Sequence, residues 1–463
     1  MPKRSIETDY LVVGCGAAGM AFADSLIDAS RADIVMVDRR HAPGGHWLEA
    51  YPFVRLHQPS SFYGVNSLPL GRETIDRDGP NAGFYERASA AEICAYYDRV
   101  LRERLLPSGR VRYFPMSSYL GDHRFVSAVS GEEVEVKVRR KLVDATYLEG
   151  RVPASSPPPF EVAPGARCVP VGGLASLGER PAGYVLIGAG KTALDACTWL
   201  LDGGVEPSDI RWIKPREAWF MNRRYTQGGE LVGTAFEGLS LQLEAAAQAT
   251  SMDDLFARLE ALQQLFRVDP TVGPTMFRGA TISSGEVEQL RRIEGVVRLG
   301  KVRRIEPDRI VLDGGTIPTS PGHLHVHCAA EGLKPVPEVP IFAPGRITLQ
   351  SIRIGQLPFA AALAAYVEAT RGDLAAQNRL CPPSRQPNVP LDWARGMLTG
   401  MNAAYRWSKE PDLVDWLERA RLNLLRGLQQ HAGEPCVQQA SMRFDANVRP
   451  ALANLEQLCG AAG

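Results

Sequence analysis

The sequence predicts an α/β fold built from two parallel-sheet units followed by helices. Two observations carry this prediction. An apolar strand near the start of the chain runs directly into a glycine-rich turn and a helix-forming segment, and the same order recurs near the middle of the chain. A strand, a glycine turn and a helix in this order form the phosphate-binding unit of a doubly wound sheet. The 463 residues also exceed what one hydrophobic core usually serves.

The first unit has an apolar strand at 8–13 that continues into a G-x-G-x-x-G turn. Its first glycine permits the tight turn, the second lets the backbone approach a pyrophosphate, and the third lets the helix pack on the strand. The free N–H groups of the helix then face the anion. The next strand ends at Asp38, which is placed to hydrogen-bond a ribose hydroxyl. The predicted nucleotide contacts of this unit are Gly14, Gly16, Ala17, Ala18, Gly19, Asp38 and Arg39.

The second unit has a strand at 183–187 and a similar turn, in which Ala193 replaces the third glycine. That position requires only a small residue. The next strand, 209–216, ends without an acid and contains Lys214 and Arg216. Cations there favour the 2′-phosphate of NADPH over the ribose of NADH, although both could be solvated surface residues. The predicted contacts of this unit are Gly188, Gly190, Lys191, Thr192, Lys214 and Arg216. We therefore predict two Rossmann-like domains.

Periodicity and turn residues predict the elements between and after the two turns. The stretch 39–84 is predicted to be a long loop, whose length indicates function, and 88–105 is predicted to be a helix. The proline-rich stretch 151–166 is predicted to cross between domains. Strands are predicted at 111–115, 124–129, 134–138 and 141–145.

The second half of the chain combines short strands with helices. A helical insertion is predicted at about 238–268, where it would form a cap. Two short strands are predicted within 297–312, a return to the sheet within 315–328, and an alanine-rich helix at 359–370. Apolar spacing beyond residue 371 predicts helices, around 391–405 and 413–428. The predicted division is a first nucleotide-binding domain at 1–150 and 329–370, a second at 167–328, and a helical region at 371–463 that forms a lid or a dimer surface.

Charge and cysteine content exclude several classes of protein. Lysine plus arginine equals aspartate plus glutamate at 52 each, which argues against a general affinity for nucleic acid or anionic membranes. The sequence has no uncharged apolar run of the roughly 18 residues that a membrane span needs, and its polar start leads into the first strand. We therefore expect a cytoplasmic protein. The eight cysteines form no C-x-x-C pair, which excludes a dithiol relay and a zinc knuckle.

Three histidines alternate along the predicted strand near residue 325. His323, His325 and His327 would share one face of that strand. Metal binding is a minor alternative here, because three ligands in a row on one strand fit a metal poorly. A core strand that leads into a cofactor loop explains the pattern better, and no metal site is predicted.

The paired glycine turns, the Gly-Gly-His-Trp turn at 44–47 and the segment YPFVRLHQP at 51–59 resemble the flavin-containing monooxygenases. This class B group includes Baeyer–Villiger and N-hydroxylating enzymes. The resemblance covers about residues 8–368, and 332–368 resembles the family's closing segment. It implies that the first domain binds FAD, that the second binds NADPH, and that the glycine pair and the tryptophan contact the flavin. The further candidate cofactor contacts are Gly45, His46, Trp47, Arg55 and Gln356.

The resemblance also implies a reaction. NADPH would reduce FAD, O2 would be captured as a C4a-hydroperoxyflavin, and one oxygen would pass to a small organic substrate. Two departures indicate a divergent branch: the family fingerprint expected within 160–182 lacks its histidine, and the usual Ala-Thr-Gly turn is Ala145-Thr146-Tyr147. The alternatives are a flavin-dependent NAD(P)H oxidase or dehydrogenase without oxygen transfer, and a nucleotide-binding protein without turnover. The substrate class stays open.

His57 and Gln58 are the candidate catalytic residues, because related enzymes place an asparagine at about these positions. A reactive oxygen intermediate survives only where water is excluded and a few polar groups hydrogen-bond it. A neutral amide suits that protection, and a histidine could instead act as a general acid near neutral pH. A structural role for His57 and a surface position for Arg55 are the open alternatives.

Overall fold

The computed structural model describes residues 4–150, 152, 156–329, 332 and 336–461. The strands are β1 (Arg4–Val13), β2 (Ile34–Val37), β3 (Val111–Phe114), β4 (Ser117–Gly121), β5 (Arg124–Ser127), β6 (Glu133–Asp144), β7 (Glu161–Val162), β8 (Cys168–Pro170), β9 (Gly183–Ile187), β10 (Ile210–Ile213), β11 (Ala218–Asn222), β12 (Leu265–Phe266), β13 (Met276–Ile282), β14 (Val296–Val297), β15 (Val302–Ile305), β16 (Arg309–Leu312), β17 (Gly315–Pro318), β18 (His323–His327), β19 (Phe342–Ala343) and β20 (Arg346–Thr348). The helices are α1 (Ala17–Ala29), α2 (Ala90–Val100), α3 (Lys191–Asp202), α4 (Val232–Gln248), α5 (Met252–Ala261), α6 (Ser284–Arg291), α7 (Leu357–Thr370), α8 (Leu374–Leu380), α9 (Pro390–Trp407), α10 (Pro411–Arg419) and α11 (Pro435–Ala461).

The first sheet is centred on β1 and has the strand order β19-β20-β6-β1-β2-β3. β1 pairs in parallel with β2 on one side and with β6 on the other, and β20 returns to pair in parallel with β6. Helix α1 connects β1 to β2 and packs against α7, whose alanines at 360–365 are buried. Small side chains let these two helices approach closely. The chain thus returns to the first sheet after completing the second.

The second sheet is entirely parallel, with the order β14-β10-β9-β18-β8. Its central strand β9 is buried at every residue, which matches its continuous apolar sequence and a sheet covered on both faces. Helix α3 follows β9 and leads to β10. The β-α-β order of both sheets is that of Rossmann-like units, so the predicted fold class is confirmed.

The helical insertion and the C-terminal helices share one hydrophobic core. Helices α4 and α5 pack against α9 and α11 through residues that include Leu243, Phe256, Trp393, Ala451 and Leu455. The apolar faces of α9 and α11 are thus covered by the insertion of the same chain. Among the described residues, none of the helices combines the length and the apolar character of a membrane span.

Several predicted boundaries were wrong. The strands expected at 134–138 and 141–145 form the single strand β6, because β6 pairs with β1 along its length. The charged Arg139 remains in this strand because its guanidinium binds Asp9 and Glu7, with 2.9 Å between Arg139 Nε and Asp9 Oδ1. The insertion is two helices with β12 after them. The strand expected at 209–216 ends at 213, and α10 ends at 419 within the stretch expected to be helical. Part of the crossover at 151–166 lies outside the described residues.

Candidate functional site

The first glycine turn is held by close backbone packing at the carboxyl end of β1. Gly14 has a φ of 97°, and a Cβ on Gly19 would overlap the carbonyl oxygen of Gly14. Gly16 is the N-cap of α1, and no side chain in the described part of the protein caps this helix. The first N–H groups of α1, from Ala17 and Ala18 onward, therefore lack a side-chain acceptor and suit an anion.

The turn at 44–47 lies directly on this glycine turn. The Gly44 N–H donates to the Cys15 carbonyl at 3.0 Å, and a Cβ on Gly45, whose φ is 62°, would lie 3.0 Å from the Gly16 Cα. The Trp47 indole N–H donates to the Tyr63 hydroxyl at 2.6 Å. The exposed His46 ring lies 4.9 Å from the Trp47 ring, measured between ring centres. The structure thus brings together the two motifs that the sequence assigned to one nucleotide.

Asp38 is buried at the end of β2 and accepts two backbone N–H groups. Its Oδ2 accepts from Cys15 at 2.6 Å and its Oδ1 from Arg40 at 2.8 Å. Each carboxylate oxygen retains a second acceptor site for a hydroxyl group. Arg39 is exposed, and its guanidinium forms an ion pair with Glu149 at 2.8 Å. Its charged group is therefore directed toward Glu149 and not toward the glycine turn.

The second glycine turn is more open than the first. Gly188 has a φ of 144°, and a Cβ there would lie 3.2 Å from the Cys328 backbone, whereas a Cβ on Gly190 would meet no described atom within 4 Å. Gly190 is the N-cap of α3, and the half-buried Thr192 lies in its first turn. Ala193 is fully buried in the helix that follows this turn. This turn also leaves helix N–H groups for an anion.

Lys191 does not point freely into this turn. Its ammonium forms an ion pair with Asp195, and the other carboxylate oxygen of Asp195 accepts from the Tyr51 hydroxyl at 2.7 Å. Phe53 stacks on Trp199 of α3 at 4.7 Å. The loop at 39–84 therefore packs directly on α3, the helix that follows the second glycine turn.

The structure does not support Lys214 as a phosphate contact. Lys214 is 3% exposed, and its ammonium is paired with Glu217 and lies 4.5 Å from the Trp212 ring centre. Arg216 is exposed, as predicted, and donates to Asn388 Oδ1 at 3.2 Å. Arg278, which sequence reasoning missed, is also exposed and donates to the same oxygen at 3.2 Å. No local motif marks Arg278, because it comes from β13.

His57 lies in a cluster of buried charges near Lys191 of the second turn. Its carbonyl accepts from Thr281 Oγ1 at 2.6 Å and from Arg223 Nε at 3.1 Å. Arg223 is fully buried and pairs with Glu286 at 2.6 Å. Although burial of Glu286 opposes it, the nearby Lys191 and Arg223 lower the pKa of its carboxyl to about 2. The sequence did not predict this cluster, because its members come from three separate segments.

Burial, reinforced by the nearby Lys191, lowers the pKa of His57 to about 3. The imidazole is therefore neutral near pH 7, and the alternative of a general acid loses its basis. A neutral ring still offers one N–H donor and one acceptor. Gln58 is half-buried beside it, and Arg55 is an exposed residue that donates to the Arg87 carbonyl at 2.9 Å. These observations favour the alternative in which Arg55 is a surface arginine.

Gln356 is the N-cap of α7 in the segment that returns to the first domain. Its Oε1 atom is buried and has no hydrogen-bond partner among the described residues. A buried acceptor normally has a partner, so this atom fits a ligand that presents an N–H group. Arg353, three residues earlier, lies between the rings of Phe359 and Trp407, at 5.3 and 4.7 Å.

The three histidines of β18 are engaged by the protein. Thr319 Oγ1 lies 3.1 Å from His323 Nδ1 and 2.9 Å from His325 Nε2, and the Arg167 carbonyl lies 2.8 Å from His325 Nδ1. Burial lowers the pKa of His327, whose Nδ1 accepts the Ala329 N–H. These contacts are those of core histidines on a strand that leads to the second glycine turn.

The site thus consists of two glycine turns, each at the carboxyl end of a central strand with parallel neighbours, in an α/β protein. The chain is 52% identical over 428 residues to "Uncharacterized protein Rv2000" of Mycobacterium tuberculosis strain H37Rv and to "Uncharacterized protein Mb2023" of Mycobacterium bovis; the match covers 92% of this chain and 79% of each relative. The chain belongs to the family of these mycobacterial proteins. No protein-family model matches it.

Solved structures similar to this chain include two monooxygenases. A flavin monooxygenase double mutant from Stenotrophomonas maltophilia is 15% identical, with a TM-score of 0.45, and the match covers 81% of this chain and 99% of the other. Cyclohexanone monooxygenase from Rhodococcus sp. Phi1, bound to NADP+, is 13% identical, with a TM-score of 0.45 and coverages of 79% and 84%. Because both TM-scores lie below 0.5, neither likeness is evidence for the function of this chain.

Proposed function

We propose that this chain is a cytoplasmic, FAD-dependent enzyme that uses NADPH and O2 to oxygenate a small organic substrate. The observation that carries the proposal is that the loop at 39–84, whose Gly45 lies against Gly16 of the first glycine turn, also packs on α3 after the second turn, where the Tyr51 hydroxyl donates to Asp195. Two adjacent dinucleotide sites suit hydride transfer from one bound nucleotide to another. A binding protein without turnover needs only one of them.

The first site fits FAD. The uncapped N terminus of α1 suits the pyrophosphate, Asp38 retains acceptor capacity for a ribose hydroxyl, and the Gly45 backbone lies against Gly16. The buried acceptor of Gln356 would be satisfied by a ligand N–H. When bound, FAD supplies the capacity to accept a hydride from NADPH and to react with O2.

The second site fits NADPH through its open glycine turn and its exposed cations. The N terminus of α3 suits the pyrophosphate, and no atom of the described residues lies within 4 Å of a Cβ placed on Gly190. Arg216 and Arg278 share one acceptor on Asn388, so their guanidinium groups converge after the end of β10. Guanidinium pairs suit a phosphate dianion. We assign the 2′-phosphate to this pair and not to Lys214.

His57 and Gln58 are assigned to protecting the oxygen chemistry. Two hydrogen bonds to the His57 carbonyl fix its backbone, and the low pKa keeps its ring neutral. A neutral imidazole and an amide can hydrogen-bond a reactive group without adding charge, and they displace water from it. This role requires the two side chains only after the flavin has been reduced.

The proposal is tested by spectroscopy and product analysis on the purified protein. We expect the visible absorbance of bound FAD, its loss on anaerobic addition of NADPH, and oxygen retained in an organic product in air. In the variants His57→Leu and Gln58→Leu, the rate of flavin reduction stays nearly unchanged while hydrogen peroxide rises. Stoichiometric peroxide from the unaltered protein with every substrate would instead identify an oxidase. Slower reduction without extra peroxide would remove the assigned role of the pair.

A further inference from the structure

Arg353 is a partly buried cation without a countercharge. It lies in the turn between β20 and α7, where its guanidinium carbon is 5.3 Å from the ring centre of Phe359 and 4.7 Å from that of Trp407. Burial lowers the pKa of the guanidinium to about 10, and no acidic group opposes this shift. Among the described residues, Arg353 forms no ion pair. Because buried charges in proteins are normally paired, an anion is the expected partner.

The Arg353 guanidinium has one hydrogen-bond acceptor in the described part of the chain. Its Nη1 donates to Asn423 Oδ1 at 3.4 Å, which is long for a hydrogen bond. Nε and Nη2 donate to no described residue, and neither belongs to the side-chain nitrogens that are closed off from solvent without a partner. These two nitrogens are therefore accessible. They form one edge of the guanidinium, which suits an acceptor with two neighbouring atoms.

The turn that carries Arg353 borders open space. A Cβ on the exposed Gly355, whose φ is 73°, would meet no described atom within 4 Å. The stem of Arg353 is packed on α9, because a Cβ on Gly400 would lie 3.6 Å from Arg353 Cγ. Phe359 and Trp407 are each 1% exposed. Closed apolar packing thus holds the side chain in a turn that remains open to a ligand.

The start of α7 lies at the same edge of the first sheet as the first glycine turn. β20 and β1 both run parallel to β6, so their carboxyl ends share one edge. The last turn of α7 is held at the opposite edge, where Glu368 accepts from the Tyr10 hydroxyl at 2.9 Å and Tyr10 pairs with Ile34, the first residue of β2. α1 and α7 pack together, and packed helices lie roughly 8–10 Å apart. The start of α7 is therefore about one helix spacing from the uncapped start of α1.

The segment after α10 connects Arg353 to the turn at 44–47 by a second route. Asn423, the acceptor of Arg353, is two residues from Arg421, which donates to the Tyr63 carbonyl at 2.7 Å. The Tyr63 hydroxyl accepts from the Trp47 indole at 2.6 Å. Helix packing and this series of contacts thus agree that Arg353 lies beside the first site.

We propose that Arg353 faces the ring system of bound FAD and is the countercharge for the negative charge that the ring acquires on reduction. The inference rests on the proposed function, because it requires FAD in the first site. The oxidised flavin ring is neutral, and the reduced ring carries a negative charge spread over N1 and the C2 carbonyl oxygen. Those two neighbouring acceptors match Nε and Nη2 of Arg353. A cation there favours the reduced flavin and therefore favours hydride transfer from NADPH.

The test is spectroscopic titration of the FAD-containing protein with sulfite, without substrate or coenzyme. The sulfite sulfur forms a bond to flavin N5 with its own electron pair, and the ring receives a negative charge on N1 and the C2 carbonyl. Loss of visible flavin absorbance measures this addition. Arg353→Gln should weaken sulfite binding about tenfold or more, as expected for the loss of one charge-assisted contact. The same tenfold change lowers the two-electron reduction potential by about 30 mV. Arg353→Lys, which keeps the charge, should retain most of the sulfite affinity.

Asn423→Asp tests the charge without removing Arg353. The Asn423 Oδ1 atom lies 3.4 Å from Arg353 Nη1, so a carboxylate there would pair with the guanidinium and neutralise it. We expect this variant also to weaken sulfite binding about tenfold. Arg406→Gln, which removes an exposed arginine next to Trp407 in α9, is the matched control and should leave the affinity unchanged. A purely structural role for Arg353 would lower the melting temperature without changing the affinity for sulfite.

An unchanged sulfite affinity in both Arg353→Gln and Asn423→Asp would overturn the inference, whatever the melting temperatures. If Arg353→Gln purifies without FAD, Asn423→Asp and Arg353→Lys decide the question, because both keep the Arg353 site filled by a cationic side chain. An unaltered protein that binds no FAD would remove the proposed function and this inference with it. Bound FAD with a sulfite affinity independent of Arg353 would remove this inference alone.

Discussion

The two glycine turns have similar sequences but different packing. In the first, Gly19 packs against Gly14 so tightly that no Cβ fits, and Gly45 covers Gly16. In the second, Ala193 fills the position that corresponds to Gly19, and the space above Gly190 is open. The first turn is enclosed by the turn at 44–47, whereas the second has no such cover among the described residues. We infer that the enclosed turn suits a permanently bound nucleotide and the open one an exchangeable coenzyme.

The two turns also differ in the charged residues at the end of the strand that follows each of them. β2 ends at the buried Asp38, whose carboxylate is fixed by two backbone N–H groups. β10 is followed by the buried Lys214, which is fixed by Glu217, and by the exposed Arg216. A charge at the strand end therefore contacts a ligand only where the local packing leaves it accessible. Sequence position alone did not distinguish Lys214 from Arg216.

The largest expected effect is the loss of bound flavin when one methyl group is added to the first turn, compared with the same addition to the second. Gly19→Ala must displace the Gly14 backbone, so we expect FAD to be lost on purification and stability to fall by roughly 1–3 kcal/mol. Gly190→Ala, where the Cβ meets no described atom, should keep full flavin and weaken NADPH binding only. Flavin absorbance per protein and NADPH titration measure both. Full flavin occupancy in Gly19→Ala would contradict the enclosed first turn.

The second prediction concerns the buried ion pair after β10. Lys214→Met leaves Glu217 buried without its ammonium, although Arg298 still pairs with Glu217 at 2.7 Å. Removal of one partner of a buried pair costs about 3 kcal/mol of unfolding free energy at the low end. Urea unfolding measures this loss, with the exposed Lys409→Met as the control. A stability equal to that of the control would show that Lys214 is dispensable for the fold and would reopen its role at the coenzyme.

The third prediction concerns the pH dependence of stability at His57, near the second turn. Its folded pKa of about 3 lies below the ordinary value near 6.5. Below pH 6.5 the unfolded chain therefore binds a proton that the folded chain does not, so the stability present above pH 6.5 is lost as the pH falls toward 3. His57→Gln should reduce the slope of unfolding free energy against pH, between pH 6 and 4.5, by about 1.4 kcal/mol per pH unit. Identical slopes would mean that His57 is protonated in the folded protein.

The smallest expected effect concerns coenzyme choice. Arg216→Gln and Arg278→Gln should each weaken NADPH by about fivefold while leaving NADH nearly unchanged, because exposed charge pairs contribute up to about 1 kcal/mol. Dissociation constants for both coenzymes give this ratio directly. Arg419→Gln serves as the control for loss of an exposed arginine. Parallel losses for NADPH and NADH would show that the arginines do not contact the 2′-phosphate.

The fold was largely predictable because its strongest determinants are local. The strand-glycine-helix order around Gly14 and Gly188 specifies each nucleotide-binding unit within a short segment. The long loop at 39–84 and the helix at 357–370 were likewise predicted in type and near their positions. The errors occur where pairing with a distant strand overrides the local sequence pattern. For example, pairing with β1 continues β6 through the charged Arg139, where the sequence pattern predicted a break between two strands.

The sequence by itself determined the two strand-glycine-helix units, because backbone conformation and helix packing at a glycine turn depend on neighbouring residues. Only the tertiary structure decided which side chains surround them. It buried Lys214, brought Arg278 beside Arg216, and placed Arg223 and Glu286 next to His57. It also brought Arg421 to the carbonyls of a loop far away in the chain. Burial and charge pairing depend on contacts between distant segments, and no short sequence pattern records those contacts.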